Sequence, residues 1–159
     1  MAQTLNISQD TMQRVSDTAV GLRVDRAASV LAASQNLFTV YGGSILLTGF
    51  YGEIMVLIDA ANTMTLTYDA TAPAVDTLLG SIGADINGFI AGRMIYLPIA
   101  GGALTNTAEA GACPVDIGPD YVLPVGKFTL ASTGTTTTGT IRWSMWYIPL
   151  EAGTYEAAT

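Results

Sequence analysis

Thr140-Ile141-Arg142-Trp143-Ser144-Met145-Trp146-Tyr147-Ile148-Pro149-Leu150 is the stretch on which the fold class turns. Read as an extended strand, it puts Ile141, Trp143, Met145 and Tyr147 on one face and Arg142, Ser144, Trp146 and Ile148 on the other. The first face is enough for a domain core. The second begins polar and turns apolar at Trp146, Ile148 and Leu150. Burial on both sides means a central place in a sandwich or a contact with another subunit, and Trp is favoured at the centre of such contacts. The alternative is that Trp146 packs beneath a loop of its own chain.

Working outward, Lys127 to Ser132 is a second strand, and the Thr-rich run Thr133 to Gly139 separates the two. So short a spacing predicts an antiparallel hairpin. Further upstream, Leu37 to Tyr41 reads as a strand of β-branched and aromatic residues, with a bend at Gly42-Gly43. Ser44 to Thr48 and Glu53 to Ile58 read as strands around Gly49-Phe50-Tyr51-Gly52. Asp59 to Asn62 is a turn, and Met64, Leu66 and Tyr68 alternate with Thr63, Thr65 and Thr67. Val75 to Ile82 fits a short helix or a strand, Arg93 to Ile99 a strand, and residues 103–120 a long surface loop. About eight strands with turn signals between them predict an all-β chain. The candidates are an antiparallel sandwich, jelly-roll-like, or a small barrel.

Residues 1–36 differ from the β domain expected over 37–159. They hold three of the six cations, Arg14, Arg23 and Arg26, and no aromatic residue. They read as a partly extended N-terminal arm that gains order by lying on something else, or as an ordinary edge strand of the same domain.

Composition narrows function. Of 159 residues half are hydrophobic and 12% charged, against about 25% in soluble domains. Mean hydropathy is +0.41. No apolar stretch runs unbroken long enough to span a membrane, and the first ten residues lack a secretory pattern. The expectation is therefore that apolar surface is buried against other subunits. A net charge of −7 argues against nucleic acid, whose binding rests on cationic contacts.

No catalytic residue, metal site or cofactor site is assigned. The chain has no His, which removes His-based triads, His metal ligands and imidazole proton transfer. Cys113, the single cysteine, has neither a disulfide partner nor a base to activate it. Gly126-Lys127-Phe128 lacks the rest of a phosphate loop. Asp85-Ile86-Asn87-Gly88 lacks the Glu that would complete a calcium loop, and Asp116 with Asp120 reads as solvated loop. The expectation is a structural or binding module, not an enzyme.

Two blocks carry a resemblance. Leu37-Phe38-Thr39-Val40-Tyr41-Gly42-Gly43-Ser44-Ile45-Leu46-Leu47-Thr48, followed by Tyr51-Gly52-Glu53, is one. Gly139 to Gly153, followed by a short Ala-rich end, is the other. Together they resemble small structural proteins of tailed bacteriophages that decorate the head. The resemblance implies a capsid decoration (cement) protein, made in the host cytoplasm. It would bind the outer surface of the virion capsid as a homotrimer and clamp neighbouring major capsid protein subunits. In that reading Arg14, Arg23 and Arg26 of the arm contact the capsid, and Trp146, Ile148 and Leu150 form a subunit interface. The rival from another class is a tail or receptor-binding protein that recognises a host glycan, with Tyr51, Tyr68, Tyr96 and Tyr121 as the aromatic candidates.

Overall fold

A computed structural model describes residues 21–98, 102–106 and 121–159. The described residues form strands and no helix. The strands are Leu22–Val30 (β1), Ser34–Tyr41 (β2), Ile45–Val56 (β3), Met64–Ala70 (β4), Asp76–Ile82 (β5) and Met94–Tyr96 (β6). They continue with Gly102–Ala103 (β7), Thr105–Asn106 (β8), Tyr121–Leu123 (β9), Gly126–Ser132 (β10), Thr140–Pro149 (β11) and Tyr155–Ala158 (β12). A front sheet runs β1-β11-β3-β6-β8, with β9 also paired to β3, and a back sheet runs β12-β2-β10-β4-β5-β7. Every pairing is antiparallel except β5 with β7. The chain is an antiparallel β-sandwich. With β7, β8, β9 and the terminal β12 set aside, the remaining eight strands numbered in chain order run first-eighth-third-sixth facing second-seventh-fourth-fifth, which is the strand order of a jelly roll.

The alternation predicted for the β11 segment holds except at Ser144, an outer-face residue that is itself buried, its hydroxyl bonded to Asp25. Ile141, Trp143, Met145 and Tyr147 are buried, and Arg142, Trp146 and Ile148 are half-buried on the outer face. β3 reaches the same end by a bulge. Trp146 pairs with Gly49 and Tyr147 with Leu47, so Thr48 is the extra residue, and Leu47 and Phe50 both point inward. Between the sheets Phe50 stacks on Phe128 at 5.6 Å, Phe38 meets Phe50 edge-on at 6.0 Å, and Trp143 lies 5.5 Å from Phe50. Such pairs add directional preference to the burial of large apolar area.

Two expectations change, and for the residues described within 1–36 the edge-strand alternative is the one found. β10 and β11 are not a hairpin, because they lie in opposite sheets and residues 133–139 carry the chain across the sandwich. That crossing is built by side chains. Asp59 accepts the N–H groups of Thr137, Thr138 and Gly139 and both threonine hydroxyls. Buried Thr136 accepts the Leu31 N–H at 2.9 Å and donates to the Gly139 carbonyl at 2.6 Å. Residues 44–58 hold one long strand, not two around a glycine break. An added Cβ at Gly52 would lie 2.7 Å from the Trp143 ring, so that glycine makes room for an indole. Of residues 1–36, Leu22–Val30 is the edge strand of the front sheet and Ser34 onward belongs to β2. The first twenty residues, Arg14 among them, lie outside the described residues, as do residues 107–120 with Cys113, Asp116 and Asp120.

Candidate interaction surface

The front sheet presents on its outer face a mixture of rings, aliphatic side chains and paired charges. Register places Arg23, Trp146 and Gly49 in one row, and Asp25, Ser144, Tyr51, Tyr96 and Thr105 in the next. Arg142, Glu53 and Met94 make a third row, and Ile148, Leu46 and Val122 a fourth. Trp146 is the hub. Its ring lies 4.7 Å from that of Tyr51, and the Arg23 guanidinium covers it at 5.0 Å from the centroid. The indole lies over Gly49, where an added Cβ would meet it at 3.4 Å, an ordinary van der Waals contact. Val122 is 62% and Leu150 48% exposed, and Leu46, Ile148 and Trp146 are half-buried.

The charges on this face neutralise one another. Arg23 Nε donates to Asp25 Oδ1 at 2.8 Å, the Ser144 hydroxyl donates to the same oxygen at 2.5 Å, and Arg142 pairs with Glu53. Burial alone would raise the Asp25 carboxyl. Hydrogen bonds from Ser144 and Arg23, with the positive charges of Arg23 and Arg142, outweigh it and hold the group below its ordinary value. A face whose ions are already paired costs less to remove from water than one with lone charges, because no charge is left stranded. A second apolar group, Val30, Met55, Val56, Leu57 and Ile90, is exposed at the end of the same sheet.

The back sheet differs. Its outer face carries Thr39, Thr65, Thr67 and Thr129, with Lys127 Nζ 3.0 Å from Asp69 beside a shallow cleft of about 190 Å³. It is hydroxyl-rich, and its exposed apolar side chains lie towards its two edges, the stacked Tyr41 and Tyr155 at one and Leu78 of β5 near the other.

The residues expected to act at contacts are only partly brought together. Trp146 and Ile148 share the outer face, and Leu150 follows just past the strand. Trp146 is half-buried, with the Tyr51 ring and the Arg23 guanidinium of its own sheet against it. Arg23 joins this cluster. Arg26 does not: it pairs opposite Trp143 at the side of the sandwich, where Nε donates to the Thr159 carbonyl at 2.6 Å and Nη1 to the Ser29 hydroxyl at 2.5 Å. Burial lowers its pKa. Of the aromatic candidates, Tyr51 and Tyr96 are neighbours on the outer face, whereas Tyr121 packs against the core. Tyr68 is excluded as a surface residue: it is buried among the core rings, and its hydroxyl donates to the Pro124 carbonyl. Leu46, Val122 and Met94 join this face through strand pairing, Val122 opposite Leu46 and Met94 opposite Glu53, which the sequence pattern does not display. Asp85 proves to be a turn residue, accepting the N–H groups of Asn62 and Asn87. Among the described residues no group of three metal-ligating side chains occurs, and no helix is long and apolar enough to cross a membrane.

No protein-family model and no curated protein matches the chain. Among solved structures, a chain described as "Structure of infectious bursal disease virus Gt strain" aligns at 12% identity with a TM-score of 0.25. The alignment covers 79% of this chain and 29% of that one. Likeness that slight bears on neither fold nor function.

Proposed function

We propose that this chain is a capsid decoration (cement) protein, a structural virion component of a tailed bacteriophage. It assembles as a homotrimer, binds the outer surface of the phage head and stabilises contacts between major capsid protein subunits. The observation that carries the reading is the outer face of the front sheet, where Trp146, Tyr51, Ile148, Leu46 and Val122 lie among charges already paired. A chain with 12% charged residues has few other means of keeping such a face covered than contact with copies or with a shell. A jelly roll supports many functions, so the fold adds compatibility and no more. The resemblance of residues 37–53 and 139–153 to head-decorating proteins points the same way.

Purified protein mixed with expanded, undecorated capsids tests the proposal. Ordered density on the outer surface is expected, and a bare surface at saturating protein rejects it. Removing residues 1–20, which leaves β1 whole, is expected to weaken capsid attachment and spare the trimer; loss of the trimer would assign that segment to self-assembly.

One observation favours a second reading. Tyr51, Tyr96 and Trp146 lie close together on one face beside Asp25, Glu53 and Arg142, rings and carboxylates of the kind that bind sugars. A receptor-binding role would give binding on a glycan array and a handful of copies per virion, where a head protein gives hundreds.

A further inference from the structure

Glu156 is an ionisable side chain placed where it has nothing to bond. It lies in β12, the four-residue outermost strand of the back sheet, opposite Val40. The residue is 8% exposed, and neither carboxyl oxygen has a hydrogen-bond partner among the described residues. Tyr147 of β11 faces it and accepts the Glu156 backbone N–H at 3.3 Å. Tyr68 of β4 also feels its charge, and the next residue, Asp69, is engaged by Lys127. From β1, Arg26 is committed to Thr159 and Ser29, and Arg23 and Asp25 are paired on the opposite face. β2 supplies no charged residue. Burial pushes the Glu156 carboxyl up to about 8.

The rest of β12 fits well. Tyr155 pairs with Tyr41 and stacks on its ring at 5.1 Å, Ala157 and Ala158 pair with Thr39 and Phe38, and the Thr159 N–H reaches the Leu37 carbonyl at 3.1 Å. The strand therefore has the right backbone and one ill-matched side chain. A buried polar group without a partner calls for an explanation, and displaceable occupancy supplies one.

We propose that the β2 edge, Phe38–Tyr41, is an acceptor site for an extended strand of another protein, and that β12 is its self-supplied, displaceable occupant. The partner strand carries an aromatic residue where Tyr155 stands, an aliphatic residue in place of Glu156, and small residues after it. Main-chain hydrogen bonds to β2 supply affinity and the inward aliphatic side chain supplies selectivity, the logic of strand addition. A second copy of this chain gains nothing by exchange, since its own β12 brings the same glutamate. As pH rises above the ordinary carboxylate range towards 8, docking of β12 weakens by roughly tenfold per unit, whereas an aliphatic strand is indifferent. The site lies on the sheet opposite the proposed assembly face, so either proposal can fail without the other.

The test uses the full chain and a fluorescent peptide of residues 153–159 carrying Glu156→Leu, read by anisotropy near pH 6 and near pH 8.5. The leucine-bearing peptide is expected to bind at least tenfold tighter than the native-sequence peptide, and tighter at the higher pH. The same substitution in the full chain is expected to abolish peptide binding, because β12 then no longer yields. Should that variant misfold, Glu156→Gln is expected to remove the pH dependence. Equal affinity of the two peptides, no binding of either, or undiminished binding to the substituted chain overturns the proposal.

Discussion

Single atoms at single positions decide much of this sandwich. Gly52 shows it most directly: a Cβ there would fall 2.7 Å from Trp143 and 2.9 Å from Ile141, both buried and unable to retreat. Gly52→Ala is therefore expected to destabilise by about 1–3 kcal/mol, the usual cost of overpacking, measured by urea unfolding. In the sequence Gly49 and Gly52 look like punctuation between strands, because glycine is a turn residue far more often than a seat for a ring. Only the position of the Trp143 indole on the neighbouring strand reveals the purpose of Gly52. Trp143 and Trp146 make the complementary contrast. Trp143→Ala is expected to cost about 3–5 kcal/mol, as burial in a core requires. Trp146→Ala is expected to move the melting temperature much less, while weakening self-association or capsid binding at least tenfold by sedimentation.

At the scale of elements, the crossing between β10 and β11 has the most to teach. Both strands alternate cleanly, and both present an apolar face, so each would satisfy a hairpin as well as a sheet-to-sheet crossing. The loop makes the choice, through Asp59 and Thr136. Asp59 is held below its ordinary carboxylate value by the Thr137 hydroxyl first, then by Thr138 and backbone N–H groups, which outweigh desolvation. A carboxyl with a lowered folded pKa contributes stability that is present above its unfolded value and lost as pH falls. Asp59→Asn is therefore expected to lower stability at neutral pH and to flatten its decline below about pH 4, followed by thermal melts across pH. The last strand, β12, left almost no trace in the sequence. Gly153 to Thr159 is short and Ala-rich, and its register comes from the free edge of β2.

For the molecule as a whole, the two kinds of carboxylate act in opposite directions on pH dependence. Asp25, Asp59 and Asp85 have lowered values, so their contribution fades as the solution is acidified. Glu156, raised to about 8, stabilises the fold fully below the ordinary carboxylate range, and that stability is lost as pH rises through 8. Maximum stability is therefore expected on the mildly acidic side of neutrality, and Glu156→Gln is expected to remove the decline towards pH 8 in denaturant melts. The two outer faces also differ at this scale: rings and aliphatic side chains lie among paired charges on the front sheet, and threonines fill the middle of the back sheet, with the Tyr41–Tyr155 pair at its edge.

The amino-acid order alone determined that this chain is all-β, that Ile141, Trp143, Met145 and Tyr147 line its core, and that Trp146 and Ile148 face away from it. Period-two alternation is a local property, fixed by the geometry of an extended backbone. Tertiary structure alone decided which sheet each strand joins, where the β3 bulge resets its faces, and that Arg23 stacks on Trp146 while Arg26 turns to Thr159. Those outcomes depend on contacts between residues distant in the chain, as far apart as Arg26 and Thr159, and no local pattern encodes them.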